Sequence, residues 1–418
     1  MMKKVFAEIV NIGDEILYGQ ITNTNVQWLS TELDKIGVKV VRHSTVADEE
    51  APILQILAEA ASRADLILIT GGLGPTKDDI TKKTLAKYFD TELVINETIL
   101  AHITAFFEAR GREMNESNRL QAAMPAACTP IFNRLGTAPG MWFEQNGKVF
   151  VSMPGVPKEM EILMEDSILA KIQAFFQTPV IHHKVIHTIG IGESMLADAI
   201  ADWEDSLPPH IKLAYLPNWG QVRLRLTGMG EDKEKLVEEV HAEMHKVLPL
   251  IDKYVFGFDN DELEAVLGET LAAQGKTIAT AESCTGGYLA HLFTKVPKSS
   301  RYFMGGAVVY SNQAKIDQLG VLPETIDEHG AVSEATIREM AMRVREVFKT
   351  DIGLASSGIA GPDGGTPEKP VGTIWIGYAD GKEVFTKKLL LTQDRLINIR
   401  MTANILLDTL RRKLKEMY

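Results

Sequence analysis

The sequence predicts an α/β protein: two three-layer α/β domains joined by a small α+β module. Three observations carry that expectation. Strand-like and helical segments alternate from Lys3 to about Asp166 and again from about Tyr254 onward, the order of a mostly parallel sheet with helices on both faces. Around Pro179 the order changes to strand, helix, strand, strand, helix. A chain of 418 residues is also long for a single core and suits two or three. The domains are expected at residues 1–170, 178–252 and 255–418.

In the first domain, short apolar runs predict strands at Val5–Val10, Lys39–Thr45 and Leu66–Thr70, and apolar residues at helical spacing predict helices at Asn23–Ile36 and Ala51–Ala64. The middle module reads as strand Val185–Ile189, helix Ser194–Asp205, strands Lys212–Leu216 and Gln221–Thr227, and the charged helix Asp232–Leu248. In the last domain a helix Glu262–Gln274 precedes the apolar strand Lys276–Ala281 and the helix Tyr288–Val296. A strand Gly306–Tyr310, a helix Ser333–Phe348, strands Ile352–Ser356, Thr373–Tyr378 and Glu383–Leu391, and a long helix Arg395–Glu416 follow.

A net charge of -12 without a long run of Lys and Arg argues against direct nucleic-acid binding. Glu8, Asp14 and Glu15 interrupt the apolar stretch that a signal peptide needs. No segment approaches the roughly 20 apolar residues of a membrane span. The two distant cysteines, Cys128 and Cys284, suit a reducing cytoplasm rather than a disulfide framework.

The segment Ala279–Gly287 places Ser283 at a strand-to-helix turn, where a hydroxyl can be presented as a nucleophile. A helix start there is expected to turn its amides outward, toward an oxyanion or phosphate. Taken alone, the segment reads equally as a Gly-rich loop with a serine helix cap. A serine nucleophile needs a base, and Lys315, one turn into a helix capped by Ser311 and beside Tyr310, can serve if burial removes its proton. Tyr310 would relay or position that proton. Cys284 is the rival nucleophile, but no histidine lies near it in sequence, so it is expected in the wall. The loop Ser356–Pro367 has glycines that allow close approach of backbone amides to a ligand, and lacks the Walker A and dinucleotide patterns. Arg395 and Arg400 are candidates to hold a phosphate, and spacing does not choose between them.

Three amino-terminal segments fall on loops after strands: Asn11–Leu17 with Asn23 and Asn25, Thr70–Asp79, and Met153–Met160. Such loops are where open α/β sheets bind ligands. Their glycines permit contact with phosphates, and Asp14, Glu15, Asp78 and Asp79 could hold a hard divalent ion. Alternatively, Asp78 and Asp79 simply begin a helix.

The order of the middle module resembles a KH-like fold. RNA-binding members clamp the backbone with a GXXG loop, whereas Gly190-Ile191-Gly192-Glu193-Ser194 has neither that spacing nor a basic charge, so a structural or dimer-forming role is expected. Ala281–Gly287, Tyr310-Ser311-Asn312 with Lys315, and Ser357–Pro362 resemble the CinA carboxy-terminal domain, a family that includes nicotinamide mononucleotide deamidases. The amino-terminal segments resemble the molybdopterin-binding fold, and the whole arrangement resembles full-length CinA.

The likeness implies hydrolysis of nicotinamide mononucleotide to nicotinate mononucleotide and ammonia, with Ser283 as nucleophile, Lys315 as base, Tyr310 assisting and no metal. It places Thr285, Gly286, Gly287, Asn312, Ser357, Gly358, Gly361 and one or both of Arg395 and Arg400 around the substrate; related enzymes often carry threonine at the Ser357 position. For the first domain it implies hydrolysis of ADP-ribose to AMP and ribose 5-phosphate. That site would comprise Gly13, Asp14, Glu15, Asn23, Asn25, Gly71, Gly72, Gly74, Thr76, Pro154, Gly155 and Glu159, with a divalent metal (magnesium, manganese or cobalt) on Asp78 and Asp79. A homodimer is expected from the same likeness. The rival readings are a non-catalytic nucleotide- or pterin-binding first domain, and a partner protein in DNA uptake or repair.

Overall fold

The computed structural model describes residues 4–74 and 80–415. They divide into two compact units, Met1–His182 with Gly228–Val237, and His183–Thr227 with Glu238–Tyr418. Among the described residues, no helix is long and apolar enough to cross a membrane.

The strands of the first unit are β1 (Val5–Ile12), β2 (Val38–Val46), β3 (Leu66–Thr70), β4 (Leu93–Ile95), β5 (Ala123–Pro125), β6 (Thr129–Ile131), β7 (Gly140–Gln145) and β8 (Lys148–Met153). The main sheet has the order β2-β1-β3-β8-β7-β6. Its first four strands are parallel; β7 is antiparallel to β8 and β6 to β7, so β7 alone is reversed and the sheet is mixed at one edge. The apolar run of β3 is buried on both faces because helices cover both. Leu66 and Leu68 pack with Leu29, Leu33 and Ile172 on one side, Ile67 and Ile69 with Ile53, Leu57 and Leu85 on the other. The charge in β1 that spoils a signal peptide has a structural use: Glu8 is fully buried and takes a two-pronged contact from Arg63, 2.7 and 3.0 Å, and a bond from Ser44. The carboxyl ends of β1, β3 and β8 share one edge, where the amide of Gly71 donates to the Met153 carbonyl.

The second unit holds most of one sheet and the whole of another. β9 (Val180–Ile189), β10 (Ile211–Asn218), β11 (Gln221–Gly230) and β12 (Val255–Phe258) pair in the order β10-β11-β9-β12, with the helices Glu193–Asp205 and Lys233–Ile251 between them in sequence. β9 begins at Val180 rather than Val185 because its first six residues, which include His182, His183 and Lys184, are only half-buried and give no apolar run. The remaining strands are β13 (Ile278–Glu282), β14 (Phe303–Val308), β15 (Ile352–Gly358), β16 (Thr373–Ala379) and β17 (Val384–Leu390), ordered β14-β13-β15-β16-β17. β14, β13 and β15 are parallel; β16 is antiparallel to β15 and β17 to β16, so β16 alone is reversed. β14 sits earlier than expected because Gly305 and Gly306 mask its start in the sequence, so Tyr310 lies just beyond the strand rather than in it. The helices Leu263–Ala273, Tyr288–Thr294 and Arg395–Leu414 cover one face of this sheet and Glu334–Phe348 the other. β13, the middle one of three parallel strands, therefore delivers Ser283 to their carboxyl edge, one residue past Glu282, which lies in register between Val308 and Ser356.

Candidate functional site

Residues 283–287 connect β13 to the helix Tyr288–Thr294, and Gly286 and Gly287 take the positive φ values, +60° and +97°, that this tight reversal requires. The amide of Ser283 donates to the Ser356 carbonyl at 2.9 Å, which fixes the turn to β15. Beside it, Ser311 caps the helix Asn312–Leu319 and so sets the angle at which Lys315 enters. Lys315 is 1% exposed, and its Nζ lies 3.1 Å from Ser283 Oγ, 2.9 Å from the Val309 carbonyl and 3.3 Å from that of Tyr310. No carboxylate is paired with it among the described residues. Burial therefore pushes its pKa below the ordinary lysine value. Nζ donates toward all three oxygens, and once neutral it would keep two N–H bonds to the carbonyls and turn its lone pair to the Ser283 hydroxyl. Cys284 is 4% exposed, and burial pushes its thiol up to about 12. It is an inert wall residue.

Arg395 links the Gly-rich loop to Tyr310. Its guanidinium donates to the Gly361 carbonyl and to the Tyr310 hydroxyl, each at 2.9 Å. Buried Asn398 ties that end of the last helix to the Gly-rich loop by donating to the Ala360 carbonyl.

A cavity of about 550 Å3 lies in the first unit at the carboxyl edge of its parallel strands. Gly13, Glu15, Gly71, Gly72, Gly74, Pro154, Gly155 and Glu159 line it, with Asp48, Gln121, Thr137 and Ala138. Gly71 is obligatory: its φ is +108°, and a Cβ would stand 2.0 Å from the Ile12 carbonyl oxygen. Among the described residues, no three His, Cys, Asp or Glu side chains gather to hold a metal ion. Glu159 is held by Asn133 at 2.6 Å.

The family models match in three consecutive blocks. They are a probable molybdopterin binding domain at residues 8–174, the KH domain of damage-inducible protein CinA at 183–257, and the CinA C-terminal domain at 260–414. A CinA-like protein of Cytophaga hutchinsonii is 56% identical over 416 residues, covering 100% of both chains. This chain belongs to the CinA family. A CinA-like protein of Flavobacterium psychrophilum is 44% identical over 99% of both chains. A solved CinA structure of unknown function from Thermoplasma acidophilum is 35% identical, covering 40% of this chain and 98% of that one with a TM-score of 0.38.

Of the residues expected at the CinA carboxy-terminal site, Ser283, Lys315, Tyr310, Gly361 and Arg395 come together. Arg400 does not: it lines a different cavity. Thr285 is turned inward, its hydroxyl 2.6 Å from that of Ser356, and Ser357 is locked to the Ala331 carbonyl at 2.7 Å, so both hydroxyls serve the fold rather than the opening. Gly358 ends β15 against Ile374, Gly286 is exposed in the turn, and Asn312 is exposed at the start of its helix. The Tyr310 hydroxyl meets Arg395; only its carbonyl reaches Lys315. The helix amides expected to face outward are taken, because Gly287, Leu289 and Ala290 donate to the carboxylate of Glu282, which is 1% exposed. In the first unit Asn23 caps a helix and Asn25 holds the Gly155 carbonyl behind the cavity wall. Asp14 is engaged through its amide with Asp48. Thr76, Asp78 and Asp79 lie outside the described residues. Asp48 was legible in principle, since it follows the carboxyl end of β2, beside β1.

Proposed function

We propose that the carboxy-terminal domain hydrolyses the carboxamide of nicotinamide mononucleotide, and that the carrying observation is Lys315 Nζ buried 3.1 Å from Ser283 Oγ. Neutral Lys315 takes the Ser283 proton as Oγ bonds to the amide carbon. The resulting ammonium returns that proton to the departing nitrogen, the C–N bond breaks, and ammonia leaves an ester on Ser283. Water, deprotonated by the same amine, then adds to the ester carbon; the C–Oγ bond breaks, the ammonium returns the proton to Ser283 Oγ, and nicotinate mononucleotide leaves. Arg395, half-buried beside Tyr310, would bind the phosphate. Ammonia release by wild type and Ser283→Ala tests the reading. A loss of about 1,000-fold or more is expected, and turnover within about tenfold of wild type would remove Ser283 as nucleophile.

We propose further that the first-unit cavity binds ADP-ribose, its glycine-edged loops receiving the pyrophosphate, and that hydrolysis to AMP there needs a divalent metal held by Asp78 and Asp79. Such a metal would neutralise the pyrophosphate charge. AMP formation is expected to require added divalent ion and to vanish in the Asp78→Ala, Asp79→Ala double variant. AMP formed without metal would contradict this, and ADP-ribose bound but left intact would make the domain a binding module.

A further inference from the structure

Arg400 is left over by the Ser283 site, and its surroundings are specific. It lines a cavity of about 430 Å3 that lies within the second unit, between the middle sheet and the helices Tyr288–Thr294 and Arg395–Leu414. That volume suits a nucleotide-sized molecule. Arg223 of β11 and Trp219 of the β10–β11 turn share the wall. The indole is 45% exposed, and the turn that carries it is pinned to the last helix, because Asn404 Nδ2 donates to the Trp219 carbonyl at 2.9 Å.

The acids of this cavity are already engaged. Glu262 and Glu264 flank Lys295, the former at 3.0 Å, and the carboxylate of Asp261 accepts the Phe258 amide at 2.8 Å. His187 Nε2 is bonded to the Asp259 carbonyl. Arg223 and Arg400, both exposed, have no partner among the described residues. Two unpaired guanidiniums match a phosphate dianion in charge and geometry, and an exposed indole beside them offers a stacking face for a flat base.

We propose that this cavity is a nucleotide site distinct from the Ser283 site, taking a nucleoside monophosphate with its phosphate between Arg223 and Arg400 and its base on Trp219. The assignment is independent of any deamidase activity. Its position is consequential, since Tyr288, which directly follows the Ser283 turn, lines it, and Arg400 shares a helix with Arg395.

The test is titration of the full chain with AMP, followed by tryptophan fluorescence, with adenosine and inorganic phosphate titrated in parallel. AMP is expected to change the emission, and Trp219→Phe to abolish the change. Arg223→Ala and Arg400→Ala should each weaken AMP by about tenfold or more, as loss of a charge-assisted contact does. All three side chains are exposed, so unfolding midpoints should match wild type. Adenosine and phosphate should each bind at least about tenfold more weakly than AMP. The assignment is overturned by no response to AMP, by a response that survives Trp219→Phe with unchanged affinity in both arginine variants, or by phosphate binding as tightly as AMP.

Discussion

Lys315 carries its amine in a place where a proton is hard to keep. Burial favours the neutral form, and no carboxylate beside Nζ opposes it among the described residues. Because the base must be neutral, kcat/KM for ammonia release is expected to rise with pH through the depressed Lys315 pKa and to level off below the ordinary 10.5. Lys315→Arg, which cannot lose its proton, is expected to be inactive at every pH, and a profile flat through this range would contradict the assignment. Stability follows the same group. The unfolded chain takes up the lysine proton first as pH falls from 10.5, so stability declines from there down to the folded pKa and is constant below it. Lys315→Met should flatten that decline in denaturant titrations repeated across pH. The neighbouring thiol makes a complementary case: with its pKa pushed up to about 12 by burial, Cys284 is not a nucleophile near neutrality, and Cys284→Ala is expected to keep ammonia release within roughly threefold of wild type. The Ser283 and Lys315 pair was legible because a serine in a strand-to-helix turn and a lysine one turn past a helix cap restrict where side chains can go. Which hydroxyls the fold would consume was not: nothing in the letters of Thr285 or Ser357 says that their partners are Ser356 and the Ala331 carbonyl.

At the scale of elements, the turn after β13 depends on a carboxylate that the sequence shows without revealing its task. Glu282 is the last residue of β13, and its two oxygens accept three amides of the following helix, at 2.7, 2.9 and 3.0 Å. The sequence left those amides open to a ligand; the structure closes them with the residue next to Ser283. Glu282→Ala would strand three donors in a buried place and is expected to cost about 3 kcal/mol in denaturant unfolding, with Glu282→Gln recovering part of it. An unchanged midpoint in the alanine variant would remove this role. The last helix explains why Arg395 and Arg400 could not both serve one site. Five residues at 3.6 per turn separate two side chains by about 140° around the axis, which sends them to different cavities. That conclusion was available from helical geometry alone. The glycine at the end of β3 was read as room for a ligand, yet Gly71 also lets β1 and β3 approach at their ends, and Gly71→Ala is expected to destabilise the first unit by about 2 kcal/mol or more.

For the whole molecule, alternating strands and helices were enough to forecast both α/β domains and the change of texture between them. Their weak points were half-exposed strand ends such as that of β9, where no apolar run marks the start, and a site whose expected metal ligands lie outside the described residues. The Ser283 site and the glycine-edged cavity belong to different compact units, each with its own core. Ser283→Ala is therefore expected to leave AMP formation from ADP-ribose intact, and the Asp78→Ala, Asp79→Ala double variant to leave ammonia release intact; loss of both activities in either variant would show the two reactions to be one. The proposed reaction turns most on whether Ser283 itself carries the acyl group. Acid quenching of the enzyme during turnover of nicotinamide mononucleotide, followed by mass spectrometry of its peptides, measures that directly. The expected result is a nicotinate mononucleotide ester on the peptide containing Ser283, absent in Ser283→Ala; full ammonia release with no such ester, sustained in the alanine variant, would contradict it.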